Sequence, residues 1–363
     1  MWDVAVIGAG LSGLICAREL RKSTSKVCIL DKSRGLGGRI ATRRVHQVSI
    51  DHGLRYWQSS PQLAPLIDEL LAANVLKPWN VKAYEILQRE AITPVPLDRP
   101  LYAAPEGMSA VGKYLAKDAT PGKDLLLEHR AIAIDPINPA DTPTSGWRIE
   151  CENGQTIAAK KCAIAIPAPQ AAHLLKTYAA DSLSDPTDTV FQAVQSLKAI
   201  DYWPSLTVMA GYDAKYSNDM GQLDPNGWMV TDKAGTSTEW VGLDSSKRSG
   251  SKGPVIVIHA KGTFAQRYID TVDLQPAASV LLRASARKFN TWIAQPDWFQ
   301  IHRWRYAFVN VGYAEAALTI EPSLVCGGDW CVGKPASTTE PATRKNIEAA
   351  YLSGLAMAKQ LAE

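Results

Sequence analysis

The fold is decided by the stretch from Val4 to Asp31, which runs VAVIGAGLSGLICARELRKSTSKVCILD. It begins with a short apolar run, passes through a glycine-rich turn into a segment of helical periodicity, and ends in a second apolar run from Val27 to Leu30. This order predicts a strand, a helix and a second strand, which together form a βαβ unit.

The glycine-rich turn has the spacing Gly-x-Gly-x-x-Gly, at Gly8, Gly10 and Gly13. In dinucleotide-binding proteins the first glycine makes the tight turn, the second lets backbone approach the pyrophosphate, and the third lets helix and strand pack closely. The helix then points its unpaired N–H groups at the phosphates. Asp31 follows Gly13 by 18 residues, where an acidic side chain binds the ribose hydroxyls. The pattern predicts dinucleotide binding, and the alternative is an ordinary turn followed by a surface aspartate.

A second glycine cluster directly after Asp31 distinguishes between dinucleotides. It contains Gly35, Gly37 and Gly38 and ends at Arg39. An arginine fork can neutralise pyrophosphate oxygens through two parallel hydrogen bonds, whereas a simple NAD-binding half would continue directly into another helix. The cluster therefore favours FAD over NAD.

Length and composition limit what the rest of the chain can be. The 363 residues exceed what one hydrophobic core usually supports, which predicts two domains. The net charge of +3, with no block of like charges, gives no sign of a nucleic-acid or membrane partner. The six cysteines lack CxxC spacing, so we expect a reducing compartment and no metal site. No apolar stretch is long enough to span a membrane, and we expect a cytoplasmic protein.

A different pattern begins near Tyr178, where short aromatic strands are separated by Gly, Ser, Asn and Asp, as in a largely antiparallel sheet. The strands are predicted at 206–212, 228–231, 239–243, 254–260 and 300–307. Before this point strands are predicted at 125–134, 147–157 and 161–166. Helices are predicted at 276–293 and, at the end of the chain, at 345–361.

Further sequence motifs follow one another along the chain. They are the segment from Asp31 to Arg43 followed by Asp51-His52-Gly53, then Gly107-Met108-Ser109-Ala110, and residues 165–171, 302–307 and 326–331. Together they resemble the FAD signature of the amine oxidase and p-hydroxybenzoate hydroxylase structural class, and most closely the renalase family. The resemblance spans nearly the whole chain.

The expected fold class is therefore α/β, with a discontinuous Rossmann-type FAD-binding domain and a second domain that binds the substrate. The FAD-binding domain is predicted to comprise residues 1–75, 105–177 and 315–363. The substrate domain, a largely antiparallel β-sheet plus helices, is predicted at residues 76–104 and 178–314.

The resemblance implies that Gly328 and Asp329 approach the ribityl chain of FAD, the alternative for Asp329 being a turn cap. It also implies that the N-terminus of the last helix, near Asn346 and Ile347, faces the pyrimidine edge of the flavin. The segment 334–344 is longer than the family's. FAD is expected to be non-covalent, because no cysteine stands where a covalently flavinylated relative carries one. The predicted FAD-binding residues are Gly8, Gly10, Leu11, Ser12, Gly13, Asp31, Lys32, Gly37, Gly38, Arg39, Thr42, Asp51, His52, Gly53, Gly328, Asp329, Asn346 and Ile347.

The substrate wall is predicted on the second sheet, because a flat ring can stack against aromatic side chains. The candidates are Trp240, His259, Trp304 and Tyr306, and ordinary core packing is the alternative for each. The resemblance places His259 toward the active site, as a donor to a substrate carboxamide or hydroxyl. Lys261 is a rival candidate if the strand of His259 continues that far.

The resemblance implies an oxidase that converts the 2- and 6-dihydro isomers of NAD(P) to NAD(P)+, with hydride passing to flavin N5 and O2 reduced to H2O2. The sequence has no second Gly-x-Gly-x-x-Gly motif, which favours nicotinamide as substrate rather than as a docked reductant. Two alternatives stay open. One is an amine oxidase or desaturase acting on another small or apolar substrate, and the other is a flavin-binding protein with little turnover.

Overall fold

The computed structural model describes residues 1–23, 26–87, 91–137, 145–178, 187–332 and 342–363. The chain forms two compact units. The first comprises Met1–Ile40, Val111–Asp201 and Val309–Glu363, and the second comprises Ala41–Ala110 and Tyr202–Phe308. The first unit therefore contains both ends of the chain.

The described residues form β-strands and α-helices, which are numbered in chain order. The strands are β1 Trp2–Ile7, β2 Val27–Asp31, β3 Thr42–Val45, β4 Val48–Asp51, β5 Trp57–Gln58, β6 Lys77–Pro78, β7 Lys82–Ile86, β8 Ile92–Val95, β9 Leu101–Ala103, β10 Leu125–Leu127, β11 Ala131–Ile137, β12 Gly146–Cys151, β13 Thr156–Ile164, β14 Asp201–Gly211, β15 Trp228–Asp232, β16 Thr238–Leu243, β17 Val255–Ala260, β18 Trp298–Val311, β19 Leu318–Glu321 and β20 Leu324–Cys326. The α-helices are α1 Leu11–Leu20, α2 Ala64–Ala72, α3 Ser109–Leu115, α4 Ala168–Tyr178, α5 Thr189–Lys198, α6 Gly262–Gln266, α7 Gln275–Lys288 and α8 Ala342–Ala362. Short 3-10 helices lie at Ala214–Tyr216, Asp244–Lys247 and Thr291–Ala294. Within the described ranges, no helix has the length and apolarity needed to cross a membrane.

The first unit contains a mostly parallel sheet in the order β10-β2-β1-β13-β12-β11. Strands β10, β2, β1 and β13 are parallel, with Val4 opposite Val27 on one side and Lys161 on the other. Strand β20 joins β13 in parallel, whereas β12 pairs antiparallel with β11 and β13. Strands β1 and β2 are apolar and largely buried, as is typical of parallel strands covered on both faces. This sheet confirms the predicted Rossmann-type fold.

Helices from the two ends of the chain pack against each other in the first unit. Gly354 of α8 lies against α1, and a Cβ on Gly354 would lie 2.6 Å from the Ser12 carbonyl oxygen and 2.8 Å from the Ile15 Cβ. Only a residue without a side chain permits this approach. The last helix therefore supports the same end of the sheet as the glycine-rich turn.

The second unit is built on a sheet in the order β18-β14-β17-β16-β15-β7-β8. Strands β14, β17, β16 and β15 are antiparallel to their neighbours in that order, and β7 joins β15 in parallel. One face is apolar and packs, through residues such as Val208 and Ile258, with Leu281 of α7 in the core. Because successive residues of a strand point to opposite faces, Thr207 and His259 lie on the other face. The predicted, largely antiparallel second sheet is confirmed.

Among the elements not predicted from the sequence are three helices, α4, α5 and α6, and the break between two strands. Helices α4 and α5 were not predicted, although Asp188 caps α5 by accepting hydrogen bonds from the N–H groups of Val190 and Phe191 at 2.7 and 3.1 Å. The predicted strand at 125–134 is two strands, β10 and β11. They are separated because Glu128 adopts a φ of +59°, which an extended strand cannot contain.

The compact units divide the chain differently from the predicted domains. Residues 41–75 and 105–110 belong to the second unit, and residues 178–201 and 309–314 belong to the first. Asp51 is paired with Arg248 inside the second unit, while the Tyr178 hydroxyl donates to Glu321 at 2.6 Å inside the first. Long-range polar contacts of this kind leave no pattern in a local sequence window. Which segments bind FAD and which bind substrate stays a prediction.

Candidate functional site

The turn after β1 shows why two of its glycines are needed. Gly8 has a φ of +111°, which residues with a side chain rarely adopt. A Cβ on Gly13 would lie 3.2 Å from the Ala165 side chain and closer still to the Gly8 carbonyl oxygen, so α1 starts directly against the sheet. Nothing lies within 4 Å of a Cβ placed on Gly10. That side of the turn is therefore open to a ligand.

The N-terminus of α1 suits an anionic group. The helix begins at Leu11, Ser12 is buried in its first turn, and Gly10 before it provides no side-chain cap. The first N–H groups of a helix have no acceptor within the helix, and its dipole places partial positive charge there. An open turn, uncapped N–H groups and the positive end of the dipole together fit the diphosphate of FAD.

Asp31 accepts backbone hydrogen bonds from the turn that follows β1 and from the segment that leads into the second glycine cluster. Its Oδ2 accepts a hydrogen bond from the Ala9 N–H at 2.7 Å, and its Oδ1 accepts one from the Ser33 N–H at 2.7 Å. The Gly37 N–H donates to the Ala9 carbonyl at 2.8 Å, and Gly38 next to it is exposed with a φ of +56°. Each carboxylate oxygen has a second lone pair. Asp31 therefore retains acceptors for a ribose hydroxyl while it orders the turn.

Arg39 and Asp329 form a bidentate ion pair. The Arg39 Nη1 donates to Asp329 Oδ2 at 2.5 Å and Nη2 donates to Oδ1 at 2.7 Å. The Gly328 N–H donates to the Ser353 hydroxyl of α8 at 2.9 Å, which anchors this loop to the last helix. The sequence assigned Arg39 to the pyrophosphate and Asp329 to the ribityl chain separately. The structure brings them into contact within the first unit.

Three further predicted FAD-binding residues belong to the first unit: Lys32, and Asn346 and Ile347 of α8. Lys32 is exposed, with its ammonium 3.3 Å from the Gln170 side-chain oxygen. Helix α8 begins at Ala342, three residues before the predicted start, and Ile347 is buried in it. The side chain of Asn346 and residues 334–341 of the longer segment lie outside the described residues. The predicted contacts of these residues with the flavin stay predictions.

Thr42 and Asp51 fix the start of α3 in the second unit. Asp51 Oδ1 accepts hydrogen bonds from the Thr42 hydroxyl and the Met108 N–H, both at 2.8 Å. The Ser109 N–H donates to the Thr42 hydroxyl oxygen at 3.0 Å. The two side chains therefore hold the β3–β4 hairpin against the helix start. Their direct contact with FAD stays a prediction.

Asp51 also belongs to a buried ionic cluster that the sequence analysis missed. Arg248 Nη2 lies 2.5 Å from Asp51 Oδ2, and Lys247 and Arg248 both pair with Asp244, at 2.7 and 2.5 Å. Burial opposes ionisation of Asp51, but Lys247 and Arg248 outweigh it and lower the pKa of Asp51. In sequence, these three partners look like a polar surface turn. Two acids and two bases thus compensate one another inside the unit.

His52 lies in a cluster of three rings, next to Gly53. Its ring centroid is 4.8 Å from that of His302 and 5.2 Å from that of Trp304, and the Trp304 indole N–H donates to the His52 carbonyl at 2.9 Å. Burial, with smaller effects from His302 and Arg43, lowers the pKa of His52 to about 3. Burial likewise lowers the pKa of His302 to about 4. Both imidazoles are therefore neutral near neutral pH.

His259 and Trp240, two of the four predicted wall residues, are in contact. They lie opposite each other on β17 and β16, and their ring centroids are 5.5 Å apart at 83°. Both are almost fully buried. Burial, followed by the charges of Arg55 and Lys247, lowers the pKa of His259 far below its ordinary value. The structure therefore provides an uncharged imidazole beside an indole on one sheet face.

The other wall candidates have different neighbours. Tyr306 packs edge-on against Tyr202, with centroids 5.4 Å apart. Strand β17 ends at Ala260, so Lys261 does not continue the face that carries His259. Its ammonium instead donates to the Lys233 carbonyl at 3.1 Å, near the surface. The condition that made Lys261 a rival is therefore not met.

All six cysteines are buried free thiols. Burial raises the pKa of Cys28 to about 12 and that of Cys331 to about 12, so neither thiol ionises readily to a nucleophile. In the part of the chain that the structure describes, no three His, Cys, Asp or Glu side chains are grouped to hold a metal ion. The cysteines behave as core residues.

Two family models match the chain. The model described as an NAD(P)-binding Rossmann-like domain matches residues 6–70, which include the glycine-rich turn. The model described as flavin containing amine oxidoreductase matches residues 96–362, which is more than half of the chain.

Individual proteins match over nearly the whole length. Renalase from Mus musculus is 23% identical over 349 residues, and the match covers 91% of this chain and 93% of the renalase chain. Among solved structures, putrescine oxidase bound to putrescine has a TM-score of 0.70 at 13% identity, covering 99% of this chain and 98% of that one. Cyclohexylamine oxidase from Brevibacterium oxydans has the same TM-score, identity and coverage. At this identity the structural matches show the fold alone.

The Rossmann-type sheet, the uncapped α1 N-terminus and the family matches agree on the cofactor, which is FAD. The chain is renalase-like in sequence, although 23% identity does not fix its substrate. This protein is an FAD-dependent oxidoreductase of the flavin-containing amine oxidoreductase family.

Proposed function

We propose that this protein is a renalase-like oxidase that converts the 2- and 6-dihydro isomers of NAD(P) to NAD(P)+. The observation that carries the proposal is the contact between Trp240 and His259 on a buried face of the second unit's sheet. It places an indole beside an uncharged imidazole, and both groups can hydrogen-bond the carboxamide of a nicotinamide ring. The match to renalase over most of both chains supports the same substrate.

In this proposal the first unit holds FAD without a covalent bond. The N-terminus of α1 and Arg39 bind the diphosphate, Asp31 binds the ribose, and Asp329 binds the ribityl hydroxyls. The start of α8, near Asn346 and Ile347, faces the pyrimidine edge. When bound, FAD would supply the acceptor for the substrate's hydride at N5, and its reoxidation by O2 with uptake of a proton would give H2O2.

The second unit contributes the substrate-facing side chains. His259 donates a hydrogen bond to the substrate carboxamide, and Trp240 stacks on the ring. Trp304 and Tyr306 extend the aromatic wall. We also propose a cytoplasmic location, supported by six free thiols.

The test is an anaerobic reaction of the yellow holoprotein with the isomer mixture made by borohydride reduction of NAD+. We expect the 2- or 6-dihydro isomer to bleach the flavin absorbance rapidly, and ordinary 4-dihydro NADH to leave it unchanged. Trp240→Leu should slow bleaching by about tenfold, the equivalent of a lost aromatic contact. Trp203→Leu, at an exposed tryptophan of β14, is the matched control and should bleach normally. Absence of bleaching by every isomer would contradict the proposal.

Amine oxidation is a second candidate, because the matching family model is that of the amine oxidoreductases. It predicts that an amine such as putrescine or cyclohexylamine bleaches the flavin and that the dihydronicotinamide isomers do not. A flavin-binding role with little turnover predicts bleaching by none of these compounds. The same anaerobic experiment therefore separates all three functions.

A further inference from the structure

Four polar side chains on the buried face of the second unit's sheet form what we term the His259 patch: Arg55, Thr207, Trp240 and His259. Thr207 of β14 and Trp240 of β16 lie directly opposite His259, which is on the strand between them. Each of the four residues is at most 5% exposed. The patch is thus a compact group of polar side chains inside the unit.

Arg55 joins the patch from the chain segment after His52. Its guanidinium carbon lies 5.3 Å from the Trp240 ring centroid and 5.6 Å from that of Phe308. Its Nη2 donates to Glu239 Oε1 at 3.2 Å. The register of β16 shifts between residues 238 and 240, so Glu239 and Trp240 both reach Arg55. Arg55 is therefore held by two rings and one carboxylate.

The hydrogen-bonding groups of the patch are left without partners. Among the described residues, none pairs with Arg55 Nε, Thr207 Oγ1, Trp240 Nε1 or either ring nitrogen of His259. Buried polar groups in proteins are nearly always paired, so a concentration of unpaired groups on one face indicates a place for a polar ligand. Such a ligand must supply the missing partners.

The chemistry of these groups specifies the ligand. Arg55 Nε and Trp240 Nε1 can only donate, whereas the Thr207 hydroxyl and a neutral His259 both donate and accept. A carbonyl oxygen satisfies the donors, and the NH2 group of a carboxamide satisfies the acceptors. A hydrocarbon satisfies neither, and an ammonium offers no acceptor at all.

The charges near the His259 patch also favour an uncharged ligand over an amine cation. Burial, and after it the nearby cations Arg55 and Lys247, lower the pKa of His259 and keep it uncharged. Glu239 is engaged by Arg55, and Asp51 lies 3.5 Å from the Lys247 ammonium. The patch therefore offers no free carboxylate to an amine cation, and the nearby cations repel one.

We infer that the His259 patch recognises the carbonyl or carboxamide group of a flat, uncharged substrate ring, and that Arg55 and Thr207 determine this specificity. The inference rests on the proposed function in assigning this face to the substrate, and it narrows the substrate class within that function. The nicotinamide ring carries such a carboxamide, whereas an amine substrate carries an ammonium.

Benzamide and benzylamine are matched probes, because they share ring and size and differ in carboxamide against ammonium. Their binding to the FAD-loaded protein is measured by calorimetry and by ligand-observed NMR, without turnover. We expect benzamide to bind at least about tenfold more tightly than benzylamine. Equal binding of the two probes, or tighter binding of benzylamine, overturns the inference.

The variants test which side chains make the distinction. Thr207→Val removes one hydroxyl at constant shape, and Arg55→Lys keeps the charge opposite Glu239 but removes Nε. Each should weaken benzamide binding by about tenfold, the cost of leaving a polar partner unpaired. Thr93→Val, at an exposed threonine of β8 in the same sheet, is the control and should bind benzamide normally. Benzamide binding that is unchanged in the folded patch variants contradicts the inference.

The melting temperature and FAD content of each variant show whether it is folded. If Thr207→Val does not fold, benzamide binding to Arg55→Lys tests the inference. Failure of the inference is distinguishable from failure of the proposed function. If the patch variants lose benzamide but no dihydronicotinamide isomer bleaches the flavin, the recognition stands and the reaction is another one. If the isomers bleach the flavin while the variants bind benzamide normally, the reaction stands and the recognition does not.

Discussion

The ion pair between Arg39 and Asp329 joins a residue near the start of the chain to one near its end. The carboxylate is buried and holds both branches of the guanidinium, so it fixes the direction in which Arg39 presents its remaining surface. Asp329→Asn keeps the shape but removes the charge. We expect it to weaken FAD binding by about tenfold or more, because charge-assisted hydrogen bonds are roughly twice as strong as neutral ones. Reconstitution of the apoprotein, followed by flavin fluorescence, measures the dissociation constant.

The matched control for this residue is Asp270→Asn. Asp270 also pairs with an arginine, Arg305, at 2.8 Å, but its side chain is 80% exposed. Surface pairs of this kind contribute little, and we expect the FAD dissociation constant to stay unchanged. Equal FAD affinities for the Asp329 variant and the unaltered protein would show that the buried pair serves packing rather than the cofactor.

At the scale of elements, the contact between α1 and α8 connects the glycine-rich turn with the last helix. Gly354→Ala would normally stabilise a helix by up to about 1 kcal/mol. Here the added methyl group meets the Ser12 carbonyl and the Ile15 side chain. We expect a net loss of about 1–3 kcal/mol in the free energy of unfolding, as for overpacked cores. FAD affinity should fall as well, because α1 shifts at the end that faces the diphosphate.

A second substitution in α8, from alanine to glycine, distinguishes the effect of helix propensity from the effect of packing. Ala356→Gly removes a methyl group from a half-buried position of α8. It should cost about 1 kcal/mol through helix propensity and leave FAD affinity unaltered. Urea unfolding and flavin fluorescence measure both quantities for both variants. A stabilised Gly354→Ala protein with normal FAD affinity would contradict the close-contact argument.

At the scale of the whole molecule, local patterns predicted the first unit better than the second. Gly8 and Asp31 could be predicted as FAD-binding candidates because the turn, the helix start and the expected ribose acceptor lie within one βαβ unit. Asp51 and Arg248 are 197 residues apart and look like surface charges until the fold brings them together. Arg55, which we propose as a specificity residue, was not a candidate in the sequence, because a charged residue in a loop is usually exposed. Residues that act through long-range pairing therefore need the structure.

The second unit contains a further property of the whole fold, a set of histidines held neutral. The pKa values of His52 and His302 fall to about 3 and about 4, chiefly through burial, from an ordinary value of 6.5. Between about pH 6.5 and pH 4 the unfolded chain therefore binds more protons than the folded one, so stability decreases as the pH is lowered through this window. Each histidine contributes a slope of at most about 1.4 kcal/mol per pH unit, and His302, which is partly exposed, contributes less because water screens it.

We therefore expect the urea midpoint of the protein to fall as the pH is lowered from about 6.5 to about 4. In a variant that combines His52→Gln with His302→Gln, neither position can take up a proton, so the midpoint should fall less steeply over the same range. His173→Gln, at an exposed histidine of α4, is the control and should keep the original slope. If the double variant and the unaltered protein lose stability at the same rate, the buried ring cluster does not govern the acid sensitivity, and the carboxylates paired inside the two units, such as Asp51, must account for it.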